Sequence, residues 1–455
     1  MAISTLYPSS RPSLSLDFAK SKRLDPRITF IRAQTGNTSS YIDSNGLIRY
    51  AGPDEPRFDH DPTTGESLGL LVEESRFNKT TYSDYSTVTL SDVVKSTTVS
   101  TSAPDGSSIF AFEANNNTAV THRVNLHNGN TGSATTPHTA SFFIKIPPIG
   151  SDQISSSEII RITLRWRSSS GSGTGAGITY NQSTQQYNIY TGVNAFGANA
   201  PTRYDHTQAY IVDYPNGWKR LVFPNAVASS DSNDSFGSYD WNISETNLEY
   251  GGNCTVFLWG AQFEQSIFVT SYIPTSGFGV TRPADDVDIL SSNTNNIINN
   301  NEGSLVAEWK VLKDPWDDGI NTRTGVAHIG DDKGQFYGSS LMFFSDDLDV
   351  SAQVREAALS TSERLDLSNT HVSGEKDKGA LSYSKSLGNF SVYSKGQYST
   401  IAFIYDPNTI YKRFIFGRAV SAGANSVSQY PSSPISKITY YPSKLSNSHL
   451  QTLTK

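Results

Sequence analysis

The sequence predicts an all-β protein, built as two β-sandwich domains preceded by an extended N-terminal arm. Three observations predict it. The 455 residues are 36% hydrophobic and only 17% charged, and the polar remainder is rich in Ser, Thr, Asn and Gly, which supply turns and break helices. The 23 Tyr and 22 Phe suit a pleated, half-buried surface and argue against a disordered chain. Apolar residues also recur with a period of two. Phe142, Ile144 and Ile146 alternate with Phe143 and Lys145, and Ile160, Ile162, Leu164 and Trp166 alternate with Arg161, Thr163, Arg165 and Arg167.

Taken in order, residues 1–78 read as the anchoring arm. Pro8, Pro12, Pro26, Pro53, Pro56 and Pro62 hold it extended, because proline fixes its own φ and biases its predecessor toward β conformations. Ile28–Ile31 and Leu68–Glu73 are short strand candidates, and Asn45-Gly46 carries a hairpin signal. The spacing of Leu14, Leu16, Phe18, Phe30, Phe58, Leu70 and Leu71 predicts an arm ordered against its own domain or a neighbouring subunit. Residues 79–282 form the first sandwich, with strands at Ser108–Glu113, Ala140–Ile146, Ile159–Trp166, Tyr187–Tyr190, Gln208–Asp213, Trp218–Phe223 and Thr255–Glu264. The Ser/Gly run 168–177 is a loop by composition. Residues 283–303, with their Asn-rich run, mark the linker. Residues 304–455 form the second sandwich, with strands at Ser304–Lys310, Thr324–Gly330, Ser339–Ser345, Asp349–Val354, Gly388–Ser394, Tyr398–Asp406, Lys412–Ile415 and Ile435–Tyr441. Ser446 caps a closing helix, His449–Leu453. Trp218, Trp259 and Trp309 lie within strands and belong to the core, as does the lone cysteine, Cys254.

Four blocks carry a resemblance. One is Arg11 to Phe30. A second joins Asp43-Ser-Asn-Gly-Leu-Ile48, Glu55-Pro-Arg-Phe-Asp-His-Asp-Pro62 and Leu68-Gly-Leu-Leu-Val-Glu-Glu-Ser-Arg76. A third is Trp259-Gly-Ala-Gln-Phe-Glu-Gln265 with Thr270-Ser-Tyr-Ile-Pro-Thr275 and Val280-Thr-Arg-Pro-Ala-Asp285. The fourth is Ile438-Thr-Tyr-Tyr-Pro-Ser-Lys-Leu-Ser-Asn447 with Leu450-Gln-Thr-Leu453. Together they resemble the head-spike and tail-fibre proteins of tailed phages, especially cyanophages, and the C-terminal part is similar to concanavalin A-like (laminin-G-like) domains. The resemblance implies lectin-like jelly rolls, a virion structural role on the particle exterior, contacts with other capsid or tail proteins, and homo-oligomers, for which a trimer is the expected form. It carries over no catalytic residue. Phe77 departs from it, standing where a small polar residue, usually Thr, is expected.

The net charge of −7 argues against non-specific nucleic-acid binding, which needs a basic surface. The sequence has no apolar run of membrane-spanning length and no signal-like start. A single cysteine makes an internal disulfide impossible, and no thiolate zinc pattern accompanies it. The Asp groups at 285–288, 314–318, 331–332 and 346–349 read as solvated loops; adjacent strand residues face opposite ways, unlike the facing carboxyls of a glycosidase. No His-Glu-x-x-His motif, Gly-x-Ser-x-Gly elbow or phosphate loop occurs. The expectation is thus a non-enzymatic subunit without cofactor or metal, gripping host-surface polysaccharide. Its candidate sugar platforms are Trp316, Tyr239 and Trp241, since ring faces suit the C–H face of a pyranose. A purely structural decoration protein and a tailspike-like depolymerase are the alternatives.

Overall fold

The computed structural model describes residues 10–114, 123–125, 137–148, 150, 159–167, 173–190, 209–227, 244–245, 249–250, 254–266, 268–310, 323–331, 339–346, 349–368, 374–417 and 433–455. Alternating apolar residues make strands throughout, and every registered pair is antiparallel. One eight-stranded sheet runs Gln397–Ala402, Asn389–Ser394, Lys376–Ser384, Glu302–Lys310, Ser433–Tyr441, Ser67–Val72 and Arg57–His60, with Leu14–Asp17 also paired to Ser433–Tyr441. A seven-stranded sheet runs Ile28–Ile31, Asp286–Ile289, Arg413–Phe416, Arg323–Gly330, Ser340–Asp346, Asp349–Glu356 and Thr361–Leu367. Their facing sides share one core, in which Leu14, Leu16, Phe18, Leu70 and Val72 pack with Trp309, Phe343, Phe390 and Phe414. Each such side chain contributes roughly 1.5–3 kcal/mol by leaving water. This is a β-sandwich, as the sequence predicts.

The leader is extended, as its prolines require, and of the two expected supports it uses its own chain, its strands pairing within this sandwich. The expected linker is also part of the fold. Asp286–Ile289 is a strand of the second sheet, Ile297 and Ile298 enter the core, and Asp288 forms an ion pair with Arg413. The Asn run supplies amides to its surroundings: Asn299 Nδ2 donates to the Pro442 carbonyl at 2.7 Å, and the Asn299 carbonyl accepts from the Tyr383 hydroxyl at 2.5 Å. The strand beginning at Gln397 stops at Ala402, short of the expected Asp406. The closing helix spans Asn447–Leu453, and Ser446 Oγ accepts from the His449 N–H.

Between Arg76 and Arg282 the chain builds a second sandwich. A six-stranded sheet runs Tyr210–Asp213, Lys219–Val227, Pro137–Lys145, Cys254–Glu264, Phe110–Ala114 and Val94–Ser96. One face packs with Ile178 and Tyr180 of the three-stranded sheet Ile159–Arg167, Gly173–Asn181 and Gln186–Tyr190. The other face carries Phe143, Trp218 and Trp259. Cys254 is fully buried, and burial pushes its thiol up. Gly173–Gly177, expected as loop, is instead strand, paired with Thr163–Arg167. The backbone hydrogen-bonding groups of Ile159–Arg167 need a partner, and glycine offers no side chain to oppose the pairing.

The two ends of this insertion lie side by side, Arg76–Asn78 pairing with Val280–Arg282. Phe77 opposes Thr281 there, and its ring fills the space over Gly279, where a Cβ would lie 2.4 Å from Phe77 Cζ. Beneath is a buried ion network of Arg32, Arg57, Glu73, Arg282 and Asp285, all at most 1% exposed. Arg32 Nη1 donates to Asp285 Oδ1 at 2.9 Å, and Arg57 donates to both Asp285 and Glu73. Arg282 donates to Glu73, and Ser271 donates to Glu73 through its N–H at 2.8 Å and its hydroxyl at 2.6 Å. The Asp285 carboxylate also accepts the Glu73 N–H. Asp285 is therefore a structural anion and not a solvated loop residue. Burial alone would push the Glu73 carboxyl up, yet the Arg282 and Arg57 guanidiniums and the Ser271 hydrogen bonds hold it at about 2. A lowered folded-state pKa contributes stability that is present above the ordinary carboxylate value and is lost as pH falls through about 2. Glu73→Gln leaves two guanidiniums short of a counter-charge and is expected to cost about 3–5 kcal/mol. Guanidinium denaturation from pH 5 to pH 2 should show a flatter acid response in the variant; equal responses would place the titration elsewhere.

Candidate functional site

A cleft of about 470 Å³ lies between the two sandwiches. One wall is the edge strand Arg57–His60 with Lys310, Ser433 and Pro434 of the same sheet. The opposite wall is the edge strand Tyr210–Asp213 with Tyr214 and Arg220. The hairpin Ser39–Ile42 and Ile48–Ala51 closes one end, and Val269–Tyr272, leading back to the ion network, forms the floor.

The Arg57–His60 wall is shaped by a bulge. Asp59 pairs with Gly69, but His60 pairs with Ser67. A bulge re-aims the side chains beyond it, so neighbours in sequence, Asp59 and His60, both line the cleft. Gly69 has φ +105°, and a Cβ there would stand 2.2 Å from the Ile435 carbonyl oxygen; only glycine fits. His60 Nδ1 lies 2.9 Å from the Ile42 carbonyl and donates to it, while the buried Nε2 has no partner among the described residues. The Ser433 hydroxyl is likewise buried without a partner among the described residues. Asp59 Oδ1 accepts the Ile42 N–H at 2.7 Å. Burial pushes its carboxyl up to about 7, with the Glu73 charge acting in the same direction and the Ile42 hydrogen bond, Arg57 and Lys310 opposing.

The opposite wall rests on aromatic rings. Phe143 meets Tyr214 edge-on at 4.9 Å and Trp259 at 5.3 Å, and Trp259 lies 4.5 Å from Tyr272. The Arg220 guanidinium sits 5.3 Å over the Phe143 ring and donates to Ser141 Oγ at 3.0 Å and the Thr270 carbonyl at 3.1 Å. Burial pushes the Tyr214 phenol up to about 12, with Arg220 pulling it down and Asp59 pushing it up. The floor is held by the block from Trp259 to Thr275. Glu264 accepts from the Thr270 N–H and hydroxyl, both at 2.7 Å, and Gln262 Oε1 accepts from the Ile273 N–H at 2.7 Å. The arrangement offers ring faces, donors and acceptors in one concave, half-apolar space, the chemistry that holds a small polar molecule.

The expected sugar platforms Trp316, Tyr239 and Trp241 lie outside the described residues. The cleft residues were not singled out by sequence. Asp59 and His60 sit inside one of the blocks that carry the resemblance, and Arg220 interrupts the apolar strand Trp218–Phe223; those are the signals that point to them. Among the described residues no group of three or more His, Cys, Asp or Glu is placed to hold a metal ion, and no helix is long and apolar enough to cross a membrane.

No protein-family model matches the chain, and no curated protein aligns with it. Solved structures similar to parts of it include the CBM40 domain of the Ruminococcus gnavus IT-sialidase bound to alpha2,3 sialyllactose (15% identity, 34% of this chain and 83% of that one, TM-score 0.28). The SAP-like pentraxin of Limulus polyphemus shares 10% identity over 34% of this chain and 70% of its own, with a TM-score of 0.25. Trypanosoma rangeli sialidase shares 11% identity over 95% and 99%, with a TM-score of 0.27. Scores this low carry no assignment.

If Asp59 titrates near 7, the native protein holds this proton more tightly than the unfolded chain does. The associated stability is complete below about pH 4 and is lost as pH rises through 7. Asp59→Asn keeps an acceptor for the Ile42 N–H, so its thermal midpoint relative to the parent should improve between pH 5 and pH 8. A constant difference would mean an ordinary carboxyl.

Proposed function

We propose that the chain is a non-enzymatic surface subunit of a tailed-phage particle, a fibre, spike or decoration protein, that grips host-surface glycan in the cleft between its sandwiches. The virion setting rests on the sequence blocks resembling head-spike and tail-fibre proteins. The glycan reading rests on one observation: tyrosines and residues with buried polar atoms unpartnered among the described residues line the same recess. Sugars need both, ring faces for their C–H surface and donors or acceptors for their hydroxyls. Single contacts of this kind are weak, and many copies on one particle make them effective. A homotrimer would also cover exposed sheet edges.

Asp59 gives the depolymerase alternative its footing, since a carboxyl raised toward neutrality suits a general acid. Incubating the full chain with an array of bacterial surface polysaccharides separates the readings. Binding without new reducing ends is expected, and Tyr210→Ala, at the half-exposed rim, should weaken it at least tenfold. Antibody labelling of intact particles should mark the exterior. Release of reducing ends would make the protein an enzyme; no binding to any polysaccharide would leave the purely structural role.

A further inference from the structure

On the reading that the cleft takes a glycan, we infer that the sugar it prefers is acidic and that Arg220 receives its carboxylate. Arg220 is only 6% exposed. A buried guanidinium ordinarily has an anion beside it, because removing an unpaired charge from water is costly. The other deeply buried arginines follow that rule: Arg32 and Arg57 pair with Asp285, and Arg57 and Arg282 with Glu73. Arg220 differs from them. Its partners are a serine hydroxyl, a backbone carbonyl, the Tyr214 hydroxyl and a phenyl face, all uncharged. Among the described residues it forms no ion pair, and its Nε has no partner.

This unmatched cation lines the cleft. Its planar fork is suited to a carboxylate, which it can bind through two parallel N–H···O bonds. Two further lining residues, His60 and Ser433, each carry a buried polar atom, Nε2 and Oγ respectively, that has no partner among the described residues. Ser433 can donate to a sugar oxygen, and His60 Nε2 can accept from a sugar hydroxyl in the tautomer its Ile42 bond selects. The other charged residues of the lining are Glu73, held by Arg57 and Arg282, Lys310, paired with Asp61, and the carboxyls of Asp59 and Glu375. Arg220 is thus the buried cation of the cleft without a counter-ion among the described residues, a feature that fits a sugar bearing a single acid group better than a neutral one.

The test uses the full chain and three probes measured by titration calorimetry: tri-galacturonate, its methyl ester, and galactotriose. The acid should bind at least tenfold more tightly than either neutral probe, and its advantage should shrink as sodium chloride rises from 50 to 500 mM. Arg220→Gln, checked for folding by circular dichroism and thermal midpoint, should bind the acid no better than the ester. Arg220→Lys, which keeps charge but loses the fork, should fall between. Should Arg220→Gln fail to fold, the ester comparison on the unaltered protein still decides, because it removes the guest's charge and not the host's. Equal binding of acid and ester, or an acid preference surviving in Arg220→Gln, overturns the inference while leaving a glycan-binding cleft intact. Binding of none of the three overturns this inference, and a polysaccharide array without a hit would remove the glycan reading beneath it.

Discussion

The five-membered ion network is the constraint on which the remaining architecture depends. Three guanidiniums and two carboxylates lie out of water together, and each needs the others. Their desolvation is offset only when all the partners are in place. Arg32, Arg57 and Glu73 come from before the inserted sandwich, whereas Ser271 comes from the returning segment after its last long strand, Cys254–Glu264, and Arg282 and Asp285 from its far end and just beyond. A contact made by both ends of a long insertion fixes where that insertion leaves and re-enters, and thereby sets one sandwich against the other. The cleft is the space left over on one side of that joint, and its floor, Thr270 to Tyr272, is bonded directly to Glu73 through Ser271.

The joint also accounts for the sequence blocks that carried the resemblance. Leu68–Arg76 supplies core leucines, the glycine that passes under the Ile435 carbonyl, and Glu73. Trp259–Gln265 supplies a core tryptophan and two buried polar side chains that hold the returning loop. Val280–Asp285 supplies Arg282 and Asp285. Segments scattered along the chain are thus parts of one structural device. Polar residues inside short apolar blocks are the sign of it, because a buried charge needs a fixed partner.

The all-β class and most strands were legible because period-two alternation survives wherever one face is buried. Pro137–Lys145, Cys254–Glu264, Glu302–Lys310 and Ser433–Tyr441 all read clearly in the sequence. Lys376–Ser384 was not legible: it opens Lys-Asp-Lys-Gly, yet it lies between two partners that satisfy both of its edges. Thr361–Leu367 is an edge strand whose buried apolar residues are only Leu365 and Leu367. The Asn-rich stretch was read as a linker, and the leader as an arm whose support was left open, because composition reports local stiffness and solubility; pairing with strands hundreds of residues away leaves no local trace. The cleft was hidden for the same reason, since its walls come from two sandwiches and the register shift at Asp59 cannot be inferred from the order of residues.

The pairing of Leu14–Asp17 with Ser433–Tyr441 has a temporal side. During translation the first strand emerges long before its neighbour exists, and its leucines must wait, exposed, while more than four hundred further residues are joined. The inserted sandwich draws its core from residues 79–282 and, before them, from the Ile42–Tyr50 hairpin, so it can close during that interval. The enclosing one cannot, so a ribosome that stalls before residue 433 releases a chain whose inner half is finished and whose outer half is a sticky, unpaired ribbon.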